Sequence, residues 1–455
     1  MSATLLRTCS FNSRDIKFEL ETALVALEAS AKAARRTSGP KASLSPAAKR
    51  RRHELHREVT ALKGLYSRAT GKKFVPPQRP PELNMRALQR FFEAMHGARW
   101  LNLAGWLGRR PTAINRGVQP FSSNPWSWAG VEYAEGEVIG LQLPGNQLQG
   151  ILPGDALADL KDLVTLNLSN NEIEGNIPTK LGDLPKLQYL CLSVTKLKGQ
   201  IPDALGALKG LRELDVSCGA LSGLIPTPLG CCSKLSILNL SHNDLEGVIP
   251  AELGELRGLK ELGLAHNRLV GPIPVSLGGL VCLQSLSLCA SRAERPLSPW
   301  LSELTCLRSL LLDHNHFSGG LPEAISNLRH LQVIHLQFNQ LCGRIPRSIG
   351  MLLELRVLNF SRNNMEGKLP AEIGNLTKLA GLELGDNDIV GPLPVELGRL
   401  TRLVDFHVID GCLSYSMPVR RGFTRHAFER VFVAGPALGL NNTTFPSGKK
   451  SERSI

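Results

Sequence analysis

The sequence predicts an α/β solenoid, right-handed and curved, with a parallel β-sheet on its concave face and an α-helical N-terminal extension. Three observations carry this expectation. From Leu163 to Leu403 leucines return every 24 residues. Inside most periods an asparagine, a glycine and an Ile-Pro or Leu-Pro pair return at fixed offsets, the asparagine being replaced at Thr195, Gly219, Ser291 and Gly411. Residues 14–68 instead show apolar residues at helical spacing.

The repeat is the dominant signal, because self-similarity at a fixed period of 20–50 residues marks stacked architectures. Units start at Leu163, Leu187, Leu211, Leu235, Leu259, Leu283, Leu307, Leu331, Leu355, Leu379 and Leu403, and one longer unit precedes them at Val138. In the unit at Leu235, the residues Leu235, Leu238 and Leu240 fit a short strand whose side chains enter the core, while Asn239 and Ser241 alternate outward. Asn243 falls where the chain leaves the strand, and its amide can satisfy backbone groups that neither strand nor helix uses. Gly247 allows a backbone conformation closed to other residues, Ile249-Pro250 holds the next stretch extended, and Leu253 and Leu256 close the inner face of the return. One such unit cannot bury its own apolar face, so stability depends on stacking against both neighbours.

Twelve units in register, with the pattern LxxLxLxxNxLxGxIPxxLGxLxx, resemble the plant-type leucine-rich repeat family, in particular the ectodomains of receptor-like proteins and kinases. The resemblance implies a leucine-rich-repeat solenoid that presents side chains for protein recognition. The stretch Met85–Phe92, then Trp100, Trp106 and Trp126-Ser127-Trp128-Ala129-Gly130-Val131, resembles the N-terminal cap of such arrays. Where secreted members place two cysteines around the W-x-G-V segment, Trp126 and Tyr133 stand here, an aromatic pair expected to seal the first apolar face. The expected organisation is a basic helical extension at 1–84, a cap at 85–137, twelve repeats at 138–418, and a C-terminal cap with a basic tail at 419–455.

Composition bounds the function. The net charge is +13, but residues 1–84 hold 17 Lys/Arg against 7 Asp/Glu, and residues 419–455 hold 7 against 2, so the repeats are close to neutral. Basicity at the two ends alone argues against nucleic acid as the main partner. The ten cysteines form no CxxC pair, and no metal is expected. Phosphate-loop, kinase and nucleophile-elbow motifs are missing, so no enzyme activity, catalytic residue or cofactor is expected. No run of about 18 apolar residues suggests a membrane span. Without an uninterrupted apolar stretch near Met1, the literal expectation is a cytoplasmic protein, or a nuclear one through Lys49-Arg50-Arg51-Arg52. The alternative is an extracellular or plasma-membrane-associated receptor-like protein whose N-terminus is incomplete. The sequons at Asn167, Asn239, Asn359, Asn375, Asn441 and Asn442 favour that alternative, although Asn-Leu-Ser also arises from the repeat itself.

Function is expected on the concave sheet, as a scaffold or recognition surface for a protein or peptide. One outward column runs Arg212, Ser236, Lys260, Gln284, Arg308, Gln332, Arg356, and another runs Asn170, Val194, Cys218, His242, His266, Ala290, His314, Phe338, Arg362, Asp386. The candidate partner-binding residues are Arg212, Lys260, Arg308, His335, Phe338 and Arg356, whose basic members suit an extended acidic or polar polypeptide. Two further expectations concern irregular segments. Ser291–Arg295, where Ala293 replaces a core aliphatic and Arg295 the glycine, is expected to bulge outward. Residues 14–68 are expected to form a helical hairpin able to self-associate.

Overall fold

A computed structural model describes residues 82–104, 106, 128–297, 300–408 and 413–414, together with Thr60. The expected hairpin at 14–68, the basic run at 49–52, Trp126, the C-terminal cap and the sequons at Asn441 and Asn442 lie outside the described residues. The chain divides into two compact units at Glu294 and Arg295.

In the first unit a strand at Val131–Ala134 pairs antiparallel with Glu137–Gln142. From there the long sheet is parallel, through Thr165–Asn167, Tyr189–Cys191, Glu213–Asp215, Ile237–Asn239, Glu261–Gly263 and Ser285–Ser287. Register advances by the 24-residue period, so that Leu214, Leu238, Leu262 and Leu286 pair in one buried row. In these strands the central leucine is buried and its two neighbours face outward, as period-two alternation requires. Short second strands such as Asp244–Gly247 and Arg268–Pro272 form another parallel ladder, followed by 3-10 turns capped by the proline of each Ile-Pro pair. These turns also stack on one another, and they explain one glycine row. A Cβ on Gly254 would stand 2.2 Å from the carbonyl oxygen of Ser276. The second unit repeats the arrangement with Ser309–Leu311, Val333–His335, Val357–Asn359, Gly381–Glu383 and Asp405–His407.

The first apolar face is sealed by the helix Glu82–Ala94 and an aromatic cluster. Phe92 stacks on Trp106 at 5.6 Å, Trp100 meets Trp106 edge-on at 4.8 Å, and Trp128 lies 4.7 Å from Trp106. Trp100 and Trp106 donate their indole N–H groups to the carbonyls of Met95 and Ala129, so their burial strands no donor. Phe92, Trp100, Trp106 and Trp128 thus line this seal; Trp126, one of the expected sealing pair, lies outside the described residues.

The irregular segment also differs from expectation. Arg292–Arg295 is a strand, paired in parallel with Val270–Pro272, and Ala293 is 2% exposed. Parallel ladder bonds use backbone groups only, so losing the core aliphatic and the glycine does not unpair the segment.

The asparagine row holds each turn to its neighbours. Asn363 is 7% exposed. Its Nδ2 donates to the carbonyls of Phe360 (3.0 Å) and Ser361 (3.2 Å) in its own turn, and to Leu336 (2.8 Å) one repeat earlier. Its Oδ1 accepts from the Leu341 N–H at 2.9 Å. Replacing it by alanine leaves these buried groups unpaired, at about 1–3 kcal/mol for the worst of them. Asn363→Ala is expected to lower stability by about 3 kcal/mol, read as a lower urea midpoint. The exposed Asn327→Ala should stay within about 0.5 kcal/mol of the parent. Equal midpoints for the two variants would contradict this assignment.

Candidate functional site

Each strand ends in a tight turn that the asparagine pins, and the residue just before that asparagine is left-handed. Asn170, Val194, Cys218, His242, His266, Ala290, His314, Phe338, Arg362 and Asp386 have φ between 52 and 57°. The column expected on the strand itself is therefore a row of turn residues. Left-handed backbone is uncommon for residues other than glycine and an outlier for a β-branched one such as Val194. It recurs whether the next residue is asparagine or, after Val194, Cys218 and Ala290, threonine, glycine or serine, so it belongs to the backbone path of the repeat rather than to the asparagine alone. One effect is outward projection, since nine of the ten side chains are exposed and Ala290 is half-buried.

Rings one repeat apart in this row stack. In the first unit His242 and His266 lie 4.2 Å apart at 18°. In the second unit His314 and Phe338 lie 4.2 Å apart at 19°, the Arg362 guanidinium sits 4.6 Å over the Phe338 ring, and Arg362 pairs with Asp386 at 3.0 Å. His314 is tied in turn to Asp313, Nδ1 to Oδ2, at 3.0 Å. The result is an exposed ladder of acid, imidazole, phenyl, guanidinium and acid, with the phenyl ring at its centre.

The six candidate residues divide between the units. Arg212 and Lys260 lie on the sheet face of the first unit, and both are exposed. Arg212 Nε donates to Gln188 Oε1 at 3.1 Å. Beside them stand Glu213, Asp215 and Glu261 on the paired strands. Sequence reasoning missed these acids because it followed one column at a time, although Glu213 and Glu261 directly follow Arg212 and Lys260 in the chain. Asp215 Oδ1 accepts from the N–H and hydroxyl of Ser217 at 3.1 and 2.7 Å. This face is therefore of mixed charge, not basic.

Arg308, His335, Phe338 and Arg356 share the sheet face of the second unit. Arg308 and Arg356 are exposed and precede the paired strands of Ser309–Leu311 and Val357–Asn359, while His335 ends the strand between them. Neither arginine side chain makes a hydrogen bond or ion pair among the described residues. Val333 and Val357, half-buried and paired in register, lie beside them. Phe338 is 39% exposed. The arrangement offers an apolar ring and two valines flanked by unneutralised cations. Among the described residues no group of three or more His, Cys, Asp or Glu side chains is placed to hold a metal ion.

With this geometry in hand, comparison with known proteins assigns the class. Leucine rich repeat family models match residues 140–197 and 209–269, and further repeat matches cover 306–328, 330–352 and 354–376. A leucine-rich-repeat protein of Leptospira interrogans is 31% identical, with a TM-score of 0.52 over 60% of this chain and 68% of its own. The chain belongs to the leucine-rich repeat family. It is also similar to the ectodomain of the Arabidopsis receptor kinase HAESA, solved with a peptide hormone ligand, at 32% identity and a TM-score of 0.58 over 63% of this chain and 53% of that one. Among curated proteins it is 43% identical over 61 residues to the Arabidopsis thaliana LRR receptor-like serine/threonine-protein kinase RGI3, which is 13% of this chain and 6% of that protein. The chain thus spans about half of the HAESA ectodomain and a small part of the kinase. These likenesses overturn the cytoplasmic or nuclear expectation and point to extracellular receptor domains. The expectation had rested on the composition near Met1, which says nothing about where the repeat domain works. No described helix is long and apolar enough to cross a membrane.

The acids of the first unit give a pH signature. Burial, then the neighbouring charges of Asp215 and Glu261, raise the Glu213 carboxyl above its ordinary 4.5. The folded chain therefore holds that proton more tightly than the unfolded chain, and stability falls as pH rises from the ordinary value through the raised one. Glu213→Gln is expected to raise the urea midpoint near pH 7 and to leave it unchanged near pH 3, where the carboxyl is protonated in both states. A variant that is no more stable than the parent at neutral pH would show that the acid cluster is not strained.

Proposed function

We propose that the chain is a non-catalytic extracellular recognition domain of the receptor-like type, and that it binds an extended peptide or protein segment along the sheet face of its second unit. The observation that carries this reading is the exposed Phe338, held between His314 and Arg362 and flanked by the unpaired Arg308 and Arg356. A preformed aromatic platform costs little to order on binding, and rigid aromatic and arginine side chains dominate interface energetics. Peptide binding by the HAESA ectodomain supports the ligand class. The charges favour a ligand that carries a carboxylate next to an apolar side chain, because a carboxylate meets two guanidinium groups here that form no ion pair among the described residues, with Glu354 in longer-range electrostatic reach of Arg356.

The first unit supports the same choice by contrast. Its Arg212 and Lys260 stand among carboxylates that already offset them, so an acidic segment gains less there. Stacking of turn residues occurs in both units, but only in the second does it present a phenyl ring beside free cations.

Selection from a random-peptide display library on the immobilised chain, followed by calorimetry on the enriched sequences, tests this reading. Phe338→Ala is expected to weaken binding about tenfold, equivalent to about 1.4 kcal/mol. The double variant Arg308→Glu, Arg356→Glu is expected to weaken it further and to remove most of its salt dependence. Both variants should keep the parental urea midpoint. Unchanged affinity in the double variant, or enrichment of sequences that contain no carboxylate, would count against the site.

A further inference from the structure

Four described Asn-x-Ser/Thr triplets are chemically equivalent in sequence but not in structure. Asn167, Asn239 and Asn359 lie on the long sheet, where the repeat pattern itself writes asparagine, an apolar core residue and serine. Their amides are in use. Asn167 Oδ1 accepts from the N–H and hydroxyl of Ser169 at 3.1 and 2.8 Å. Asn239 Oδ1 accepts from the Ser241 N–H at 3.2 Å, while its Nδ2 donates to Ser217 Oγ at 3.2 Å. Asn359 Oδ1 accepts from the N–H and hydroxyl of Ser361 at 2.9 and 2.7 Å, and its Nδ2 donates to Glu383 Oε2 at 2.6 Å. A sugar on Nδ2 at any of the three would stand among strands about 4.8 Å apart, and at Asn239 and Asn359 it would crowd the bond that Nδ2 already donates.

Asn375 is different. It ends the 3-10 turn Ala371–Asn375, on the return of the repeat rather than on the sheet. Its side chain and that of Thr377 are exposed and make no hydrogen bond among the described residues. The turn stacks on Arg347–Met351 of the preceding repeat. One period earlier, the places of Asn375 and Thr377 are taken by Met351 and Leu353, which are 51% and 56% exposed. Two large apolar side chains therefore lie uncovered beside the sequon that, among the described residues, has a side chain without a hydrogen bond, and the apolar face of a pyranose ring is suited to cover them.

We propose that Asn375 is the sequon of the described residues that carries an N-linked glycan, and that the first sugars of that glycan cover Met351 and Leu353. The proposal rests on the extracellular reading, since the modification occurs along the secretory route. In the transfer, Asn375 Nδ2 attacks C1 of the terminal N-acetylglucosamine of a polyprenyl-diphosphate-linked oligosaccharide. The Nδ2–C1 bond forms, the bond from C1 to the diphosphate oxygen breaks with its electron pair leaving on the diphosphate, and the proton displaced from Nδ2 passes to a base of the transferase. The Thr377 hydroxyl, two residues on and uncommitted, meets the sequence requirement of the acceptor.

The test uses the full chain carrying a cleavable secretory leader, expressed in plant cells, with glycopeptide mass spectrometry of the folded secreted fraction. Expected are a glycan at Asn375 and bare peptides at Asn167, Asn239 and Asn359. Relative to the parent, Asn375→Gln and Thr377→Ala should each lose one glycan, whereas Thr377→Ser should keep it. The Asn375→Gln protein should also be retained longer on a hydrophobic-interaction column, and this increase should disappear when Met351 and Leu353 are changed to serine as well. An unmodified Asn375 in secreted, folded protein would overturn the site, and unchanged retention would overturn the shielding role. The native protein is then located in its source tissue by antibody and cell fractionation, which tests the extracellular reading separately. If the native protein is cytosolic while the leader-borne copy carries the glycan, the site stands and the extracellular reading falls.

Discussion

The buried asparagine at the end of each strand is the interaction on which the rest of the structure depends. Its amide supplies two donor hydrogens and an acceptor oxygen at the place where the backbone leaves the ladder and would otherwise bury unpaired groups. Asn243, Asn267, Asn339, Asn363 and Asn387 all use the same scheme, two carbonyls in their own turn and one in the preceding repeat. The acceptor side binds an N–H of the preceding repeat. Each asparagine thus closes its own turn and fastens it to its neighbour, which the apolar core alone would not do in a fixed register. Where the asparagine is missing, the row thins without failing. Thr195 keeps one bond, from Oγ1 to the Leu192 carbonyl, and Gly219 is held by its backbone N–H on the His242 carbonyl.

That fastening determines where function can sit. The tight turn, with asparagine or without it, holds the preceding residue in the left-handed region, at a cost of about 1 kcal/mol or more for a residue other than glycine. Glycine would relieve the cost, yet these ten positions hold three histidines, a phenylalanine and an arginine among others. Side chains held there point away from the core, one repeat apart, at a spacing that suits ring stacking. The ladder of His314, Phe338 and Arg362 is thus a by-product of the core's hydrogen bonding that the surface can use. Its members are positioned by backbone constraint and lose little freedom on binding a partner.

The repeat, its strands and its asparagines were legible in the sequence because each is written by one residue type at one offset. What escaped lies between columns or a full period away. Glu213 and Glu261 directly follow Arg212 and Lys260 in the chain, but they fall in a different column, so the first unit's face appears mixed only when the columns are set side by side. Stacking of His314 on Phe338 needed the left-handed turn, which changes the direction of the side chains from that of a strand. Repeat seven was misread for the opposite reason, since Ala293 and Arg295 weaken a side-chain pattern while the ladder they belong to is made of backbone. The mutual packing of Trp100, Trp106 and Trp128 escaped for a related reason, since it depends on ring geometry that no single motif writes.

The two sheet faces show how one scaffold separates solubility from recognition. In the first unit the charges offset one another, and a ligand carboxylate arriving there must compete with Glu213, Asp215 and Glu261 for the same cations. In the second unit Asp386 engages Arg362 and Asp313 engages His314, so both ends of the aromatic ladder are already satisfied and the ladder itself has little net charge. Arg308 and Arg356 are left over. Exposed as they are, they contribute more to the rate and orientation of encounter than to final affinity, because charges in water are screened within about 10 Å. Affinity then falls to the apolar part of the face, Phe338 with Val333 and Val357, where burial of about 25 cal/mol per Å² is not screened by salt. A ligand must satisfy both conditions at once. Under the proposed function, that combination rather than overall basicity would select a carboxylate-bearing apolar segment over other acidic chains.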